Sequence, residues 1–407
     1  MFVLAKSERW LRIILPIFML IVFTMTIMDS TVNYLGHHDW KMGDWLINYA
    51  GGWVRRGFLG ELFIVLSKTT GINPGIYVTV FQILLYFTYF LFSYLLLRKQ
   101  KSIIPFVFLI FSPFIFTFQL NDFQGGYRKE IIYFAFLSFI AWSRFSLDFQ
   151  KFEKVFVLSL IVYPFVVLSH EMLFLFIPYI VLTYTFDKKI NIKLIRFISI
   201  LVFPSFLAFI FSVMHQGSIE HAAAIHQSLA DAHYSMNKRG AIFALQYDAG
   251  YWAEKLNVFI EKKNYIYTYI ISIGLSLAAF MPVRAQLQII LARWHGKALV
   301  VGSLIATVLI ASIAVDWGRF IYINLVSLFI LSLLAATVLP VDTTKNKLEG
   351  SCKSQSGMLV VVIFLIWALF WHIPHCCGQS MFAKRLTNLN SHLLIKPAYR
   401  LYRKLNR

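Results

Sequence analysis

Apolar positions in this chain arrive as unbroken runs, without the alternation of a half-buried strand or the one-sided stripe of a soluble helix. Residues 13–28, "IILPIFMLIVFTMTIM", and residues 202–214, "VFPSFLAFIFSVM", are typical. Runs of about 17 to 22 such residues have the length an α-helix needs to cross a bilayer core. The pattern predicts about eleven spans, beginning near residues 11, 76, 103, 131, 155, 171, 197, 264, 298, 320 and 358. The expected fold class is all-α: one polytopic integral membrane domain over residues 1–407, with no soluble domain, no low-complexity linker and no inverted repeat.

The polar segments between the runs fall into two kinds. Lys6, Arg9 and Arg12 precede the first span, and "RKQK" (98–101), "SRFSLDFQKFEK" (143–154), "DKKINIKLIR" (187–196), "RAQLQIILARWHGK" (284–297) and "PVDTTKNKLEGSCKSQSG" (340–357) follow at the same parity. All are basic, as cytoplasmic segments are. The opposite parity holds residues 29–75, 121–130, 169–171, 215–263, 316–319 and the stretch after 374. Most acids fall there, among them Asp29, Asp39, Asp44, Glu61, Asp122, Glu130, Glu171 and Asp316, with every histidine except His295. Orientation does not require acids or histidines on that side, so function is the better explanation. The tail 378–407 is basic. It is expected to lie as an amphipathic segment on the outer lipid surface.

Composition agrees with a membrane protein: mean hydropathy is +0.68, 59% of residues are hydrophobic and 14% are charged. The net charge of +19 raises nucleic acid as a partner. The basic residues sit in short clusters between spans instead, so no nucleic acid is expected. The N-terminal run lacks a small-residue cleavage site and reads as a retained first span. Cys352, Cys376 and Cys377 are too few for a disulfide framework, and no zinc spacing occurs. The vicinal pair reads as small polarizable packing near a helix end, with redox chemistry as the alternative.

The candidate chemistry lies on the outer side. The first outer loop, 29–75, mixes Trp, Tyr and Leu with charges, which predicts interfacial helices, one of them over 58–67. Within it Asp44 is followed by Trp45, Tyr49, Gly51, Gly52, Trp53, Arg55 and Arg56. An arginine fork holds phosphate oxygens through paired charge-assisted bonds, and glycine permits close backbone approach. The aromatic residues are candidates for stacking on a sugar, although arginines snorkelling to lipid phosphates would look similar. The second outer loop, "NDFQGGYRKE", repeats the theme with Asp122, Arg128, Lys129 and Glu130. His170-Glu171 and Asp316 with Arg319 sit at span ends, where ionisable residues are functional candidates. Asp316 and Arg319 are also spaced to pair with each other. "WHIPHCC" adds His372 and His375 with weak specificity.

The long loop 215–263 carries His215, His221, His226 and His233, whose spacing does not match a helical metal pair. It is expected to be a substrate-covering lid, with Lys238 and Arg239 available to an anionic headgroup. No metal site is assigned and no cofactor is required, a divalent ion being the open alternative.

An outer face has no ATP, so a transfer reaction there needs a pre-activated donor delivered in the membrane. At this point the chain resembles the GT-C glycosyltransferases, which use polyprenyl-linked sugars. That resemblance implies a key acid in the first outer loop, matched by Asp44 in "KMGDWLINYAGG" with Asp29 and Asp39 as rivals. It also implies a second acid in the next outer loop, Asp122 or Glu130. "GGWVRRG" is similar to a stretch in membrane proteins of bacterial surface-polysaccharide loci. The expectation is a glycosyltransferase of the bacterial inner membrane, its site facing the periplasm. Asp44, Asp122 and Glu130 would be catalytic, and Arg55, Arg56, Arg128, Lys129 and Arg319 would bind the lipid (pyro)phosphate. Trp45, Tyr49, Trp53, His170, Glu171 and Asp316 would bind substrate, and the acceptor would be a glycan. A Wzy-type O-antigen polymerase is the close rival, also with many spans, a large outer loop and outer arginines. A transporter or flippase would need polar groups at mid-span, and an acyltransferase would be built on His170-Glu171.

Overall fold

The computed structural model describes residues 2–122, 124–262, 265–338, 367, 368, 370–377, 380 and 381; the tail 378–407 and the span expected from 358 lie largely outside them. Among the described residues the regular elements are all helices. We label the principal helices α1 (Phe2–Leu35), α2 (Phe58–Thr70), α3 (Pro74–Arg98), α4 (Glu130–Ser146), α5 (Phe149–Ser169), α6 (Ile177–Thr185), α7 (Ile192–Met214), α8 (Ile219–Asp231), α9 (Ala249–Lys262), α10 (Tyr265–Phe280), α11 (Arg284–Leu291), α12 (Trp294–Ala311) and α13 (Trp317–Val338).

Among them, seven segments are long and apolar enough to cross a membrane: α1, α3, α5, α7, α10 with α11, α12 and α13. Seven of the eleven expected spans are thus matched, the one from 358 lies outside the described residues, and the three from 103, 131 and 171 are not long apolar helices, for identifiable reasons. The run from residue 103 contains Pro105 and Pro113. Each removes a backbone donor and clashes with the preceding turn, and the run breaks into short pieces at Ile104–Phe106, Val107–Ile110 and Phe118–Asn121. Its Phe114, Ile115 and Phe116 are fully buried, so its apolar character serves the protein core and not lipid. The run from 171 starts as a 3-10 turn, Glu171–Phe176, before α6. Glu171–Thr185 together is a shorter apolar helix, about 22 Å long at the α-helical rise. The helix α4 has 17 residues and is mostly buried.

Local sequence explains where helices begin and end. Asn73, Asp148, Asn191 and Ser218 cap α3, α5, α7 and α8 by accepting from backbone N–H groups two or three residues on, satisfying donors that the first turn leaves free. Pro74 opens α3, where its missing N–H is harmless. Gly71 ends α2 in the left-handed conformation, φ +73°, donating to Ser67 O, as helix C-termini favour. A helix is present where one was expected over 58–67, as α2.

The two ends of the bundle differ. At one end, the Arg12 guanidinium on α1 donates to the carbonyls of Arg98, Gln100 and Lys101 after α3, and Arg144 pairs with Asp187. At the other end lie residues 36–57, Asp122 and residues 124–129, the α5–α6 junction, residues 215–262 and the start of α13. Burial sorts the helices: 72% of the apolar window of α13 is buried against 11% for α7. The helix α13 is central and packs on α4, while α7 is peripheral.

Candidate functional site

The non-Arg12 end of the bundle contains a cavity of about 420 Å³. Its polar wall includes Arg55, Arg56, Arg128, His170, Glu171, Asp316, Arg319 and His375. Its apolar wall comes from Leu175, from Phe209 and Val213 on α7, and from Ile310 on α12 with Ile313 beyond it. Residues 241–252 of the long loop close one side through Ala241, Ala244, Leu245, Ala249 and Trp252. Trp40 and Gln124 also line it, and their place was not legible in the sequence.

Ion pairs tie the polar wall together across long stretches of chain. Arg56 and Glu171, 115 residues apart, form a forked pair: Arg56 Nε lies 3.0 and 2.9 Å from the two carboxylate oxygens and Nη2 lies 2.6 Å from Oε1. Arg128 Nε donates to Asp44 Oδ2 at 3.1 Å while its guanidinium lies over the Trp40 ring, 5.2 Å from the centroid. Arg319 donates to Glu130 through Nε (2.8 Å) and Nη2, and to Asp316 through Nη1 at 2.6 Å. His170 Nε2 lies 3.3 Å from Arg319 Nη2 and 3.7 Å from Glu130 Oε1. The spacing-based pair Asp316–Arg319 thus forms, whereas Arg128 and Glu130 pair with residues of other segments.

Arg56 is a non-glycine residue with φ +68°, a strained conformation that persists only where surroundings over-determine it. The fork to Glu171 holds its side chain, and Lys129 Nζ donates to its carbonyl oxygen at 2.9 Å. Lys129 is fully buried, and burial pushes its ammonium down to about 8, against the pull of Asp44. Burial acts to raise Asp44, yet Arg128, Lys129, His170 and Arg56 outweigh it and hold this carboxyl well below the usual carboxylate range. For Arg56, burial acts to lower the guanidinium and Glu171 more than compensates, so it stays charged.

Arg55 differs from the other cavity arginines. It makes no ion pair among the described residues, and its Nε is buried without a hydrogen-bond partner. Its backbone N–H donates to His215 O at 2.8 Å, anchoring the arginine pair to the end of α7. Burial, followed by the Arg56 charge, lowers its pKa. A buried donor left without a partner is costly unless a ligand supplies one.

Several expected site residues sit elsewhere. Asp44 and Asp122 are fully buried behind the wall and do not line the cavity. Asp122 accepts from Gly125 N at 2.6 Å, from the His375 backbone N–H at 2.8 Å and from the His375 ring. Glu130 is likewise behind Arg319. Trp45 is a core residue, its indole N–H donating to Tyr127 O at 2.7 Å. Tyr49 and Trp53 pack against each other with their rings tilted by 55°, and Trp53, 59% exposed, meets Phe211 of α7 edge-on at the protein surface. Lys238, Arg239 and the histidines at 215, 221, 226 and 233 do not line the cavity either.

Cys376 and Cys377 are joined in a vicinal disulfide, a correction to their reading as unbonded packing. Their sulfurs and His375 lie within 4.8 Å of one another. Disulfide sulfurs are not the thiolates a metal would take, so we do not read this group as a metal centre. Comparison with protein-family models, with curated proteins and with solved structures found no match, and the functional reading rests on the residues of this chain alone.

Proposed function

We propose that this protein is a membrane glycosyltransferase. It would take a sugar from a polyprenyl-phosphate donor and act in bacterial surface-polysaccharide synthesis on the outer face of the cytoplasmic membrane. The observation that carries the reading is the composition of one cavity. An arginine without an ion pair among the described residues, Arg55, stands beside three paired arginines, Arg56, Arg128 and Arg319, and the wall continues into the apolar faces of α7 and α12. A phosphate with a long apolar chain matches both halves. Arg55 would take the phosphate oxygens, neighbouring guanidinium groups would stabilise the charge growing on the departing phosphate, and the tail would leave between α7 and α12.

In the reaction the acceptor oxygen bonds to the anomeric carbon as the bond from that carbon to the phosphate oxygen breaks. The acceptor hydroxyl gives its proton to a base in the cavity, and polyprenyl phosphate departs. Asp44 suits the base role poorly: it does not line the cavity, and its low pKa makes it weakly basic. It holds Arg128 in place. Orientation follows from the basic end at Arg12, Arg98 and Arg144, which the charge rule assigns to the cytoplasm, leaving the cavity outside.

A cavity of about 420 Å³ is within the range that encloses a single small ligand, which favours transfer of one sugar over the joining of two lipid-linked repeat units. The test is the surface polysaccharide of a strain lacking the protein, complemented at matched expression by wild type or Arg55→Ala. Loss of one sugar with unchanged chain length, unrestored by Arg55→Ala, is expected. A ladder collapsed to a single repeat would transfer the reading to a polymerase, and an unchanged polysaccharide would end it.

A further inference from the structure

We propose that His375, oriented by Asp122, is the proton acceptor of this cavity. The inference rests on the glycosyl-transfer reading for the identity of the proton donor, an acceptor hydroxyl, but its geometry stands independently.

His375 belongs to the segment 371–377, which is docked on the bundle by contacts from three directions. Gly318 at the start of α13 donates its N–H to His375 O at 3.1 Å. Tyr269 on α10 donates its hydroxyl to Pro374 O at 3.0 Å. Asp122 accepts from the His375 backbone N–H at 2.8 Å. Two glycines leave the room: a Cβ on Gly318 would collide with Pro374 O, and one on Gly125 would lie 2.5 Å from His375 Cβ. A ring clamped in this way is held as precisely positioned catalytic groups are.

The chemistry follows from the two ring nitrogens. Nδ1 lies 2.7 Å from Asp122 Oδ1 and 2.8 Å from Oδ2. An ionised carboxylate only accepts hydrogen bonds, so in the neutral ring Nδ1 carries the proton and the lone pair is on Nε2. The neighbour of Nε2 is Cys376 Sγ at 3.1 Å, and in the disulfide that sulfur has no proton to give. Nε2 therefore retains its lone pair on a residue that lines the cavity. Other acceptors on the wall face arginines. Glu171 is forked to Arg56, Asp316 is bound by Arg319, and His170 Nε2 faces Arg319 Nη2, while His170 Nδ1 has no hydrogen-bond partner among the described residues. In the transfer, Nε2 takes the hydroxyl proton as the acceptor oxygen attacks. The imidazolium formed is stabilised by Asp122, which stays ionised, as a carboxylate behind a catalytic histidine does.

Two measurements test this. In the first, membranes carrying the intact protein are treated with diethyl pyrocarbonate and peptides are read by mass spectrometry. His375 should be carboethoxylated through Nε2. Asp122→Asn, which can present an amide N–H to Nδ1 and so place the ring proton on Nε2, should slow that modification severalfold while leaving expression intact. An unreactive His375, or one indifferent to Asp122→Asn, overturns the proposal whatever the polysaccharide assay shows. In the second, His375→Ala and His375→Asn should lower sugar transfer by about 100-fold to 10,000-fold, with partial recovery of His375→Ala in added imidazole. The asparagine retains an N–H for Asp122 and so tests the loss of the base with the segment still tied. Wild-type transfer by both variants would overturn the assignment. If wild type itself alters no polysaccharide, the transfer reading fails while the labelling result still decides whether His375 is the oriented base.

Discussion

At the residue scale, the adjacent arginines Arg55 and Arg56, which share one turn before α2, prove chemically unlike. Arg56 is spent on Glu171, with its backbone held by Lys129; Arg55 has no such partner among the described residues. Arg55→Ala should therefore weaken donor binding, by the loss of a charged hydrogen bond of about 1.5–3 kcal/mol, or roughly 10-fold to 150-fold in KM. Arg55→Lys should restore only part, because an ammonium cannot fork to two oxygens. Titration of donor in proteoliposomes measures both. Asp44 makes a contrasting case. Removing it strands Arg128 in a buried site, and breaking such a pair costs about 3–5 kcal/mol. Asp44→Ala should therefore lower the melting temperature in detergent, where Arg55→Ala should not; equal melting of the two would contradict this division of labour.

Lys129 gives a pH prediction at the same scale. Burial lowers its folded-state pKa from 10.5 to about 8. Below pH 8 the ammonium is charged in both folded and unfolded chains, and the folded state carries the full burial penalty. Between about pH 8 and 10.5 the unfolded chain binds more protons, so stability rises with pH through that window. The difference in melting temperature between wild type and Lys129→Met should move in favour of wild type as pH climbs from 8. A flat difference would mean that Lys129 is not titrating there.

At the element scale, the site is built where helices end, so packing at those ends should control it. Gly60, in the first turn of α2, lies against the backbone of Leu46 and Ile47, and a Cβ there would collide with Ile47 O. Gly60→Ala should push α2 away from the turn that carries Asp44 and disturb the bond from Tyr49 N to Glu61 Oε2, 2.9 Å. Gly71→Ala is the control: nothing lies within 4 Å of its Cβ. Only the φ strain of a non-glycine residue remains, about 1 kcal/mol. Melting curves should show a large shift for the first and a small one for the second. The run at 103–121 teaches the same lesson in reverse. Its hydropathy suits a span, but its prolines and its burial make it packing material inside the bundle.

At the scale of the whole molecule, the reading depends on the two ends of the bundle facing different compartments. Trp53 beside the cavity end and Lys151 at the Arg12 end are both exposed. In intact spheroplasts, Trp53→Cys should react with a membrane-impermeant maleimide and Lys151→Cys should react only after permeabilisation. Labelling of both from one side would contradict a bundle spanned between them, and the reverse order would move the cavity to the cytoplasm.

The runs of apolar residues were enough to establish an all-helical, membrane-type chain, because the demand for backbone hydrogen bonds in lipid leaves few alternatives. The clustering of Arg55, Arg56, Arg128, His170, Glu171, Asp316 and Arg319 was legible too, since span parity placed their segments together before any contact was known. What parity cannot supply is partnership. Whether an arginine faces a carboxylate or open space, and whether Asp122 lines a wall or stands behind His375, depends on contacts between residues up to 253 positions apart. The count of spans had the same limit: hydropathy reports that a segment avoids water, and only tertiary packing decides whether lipid or protein takes the place of that water.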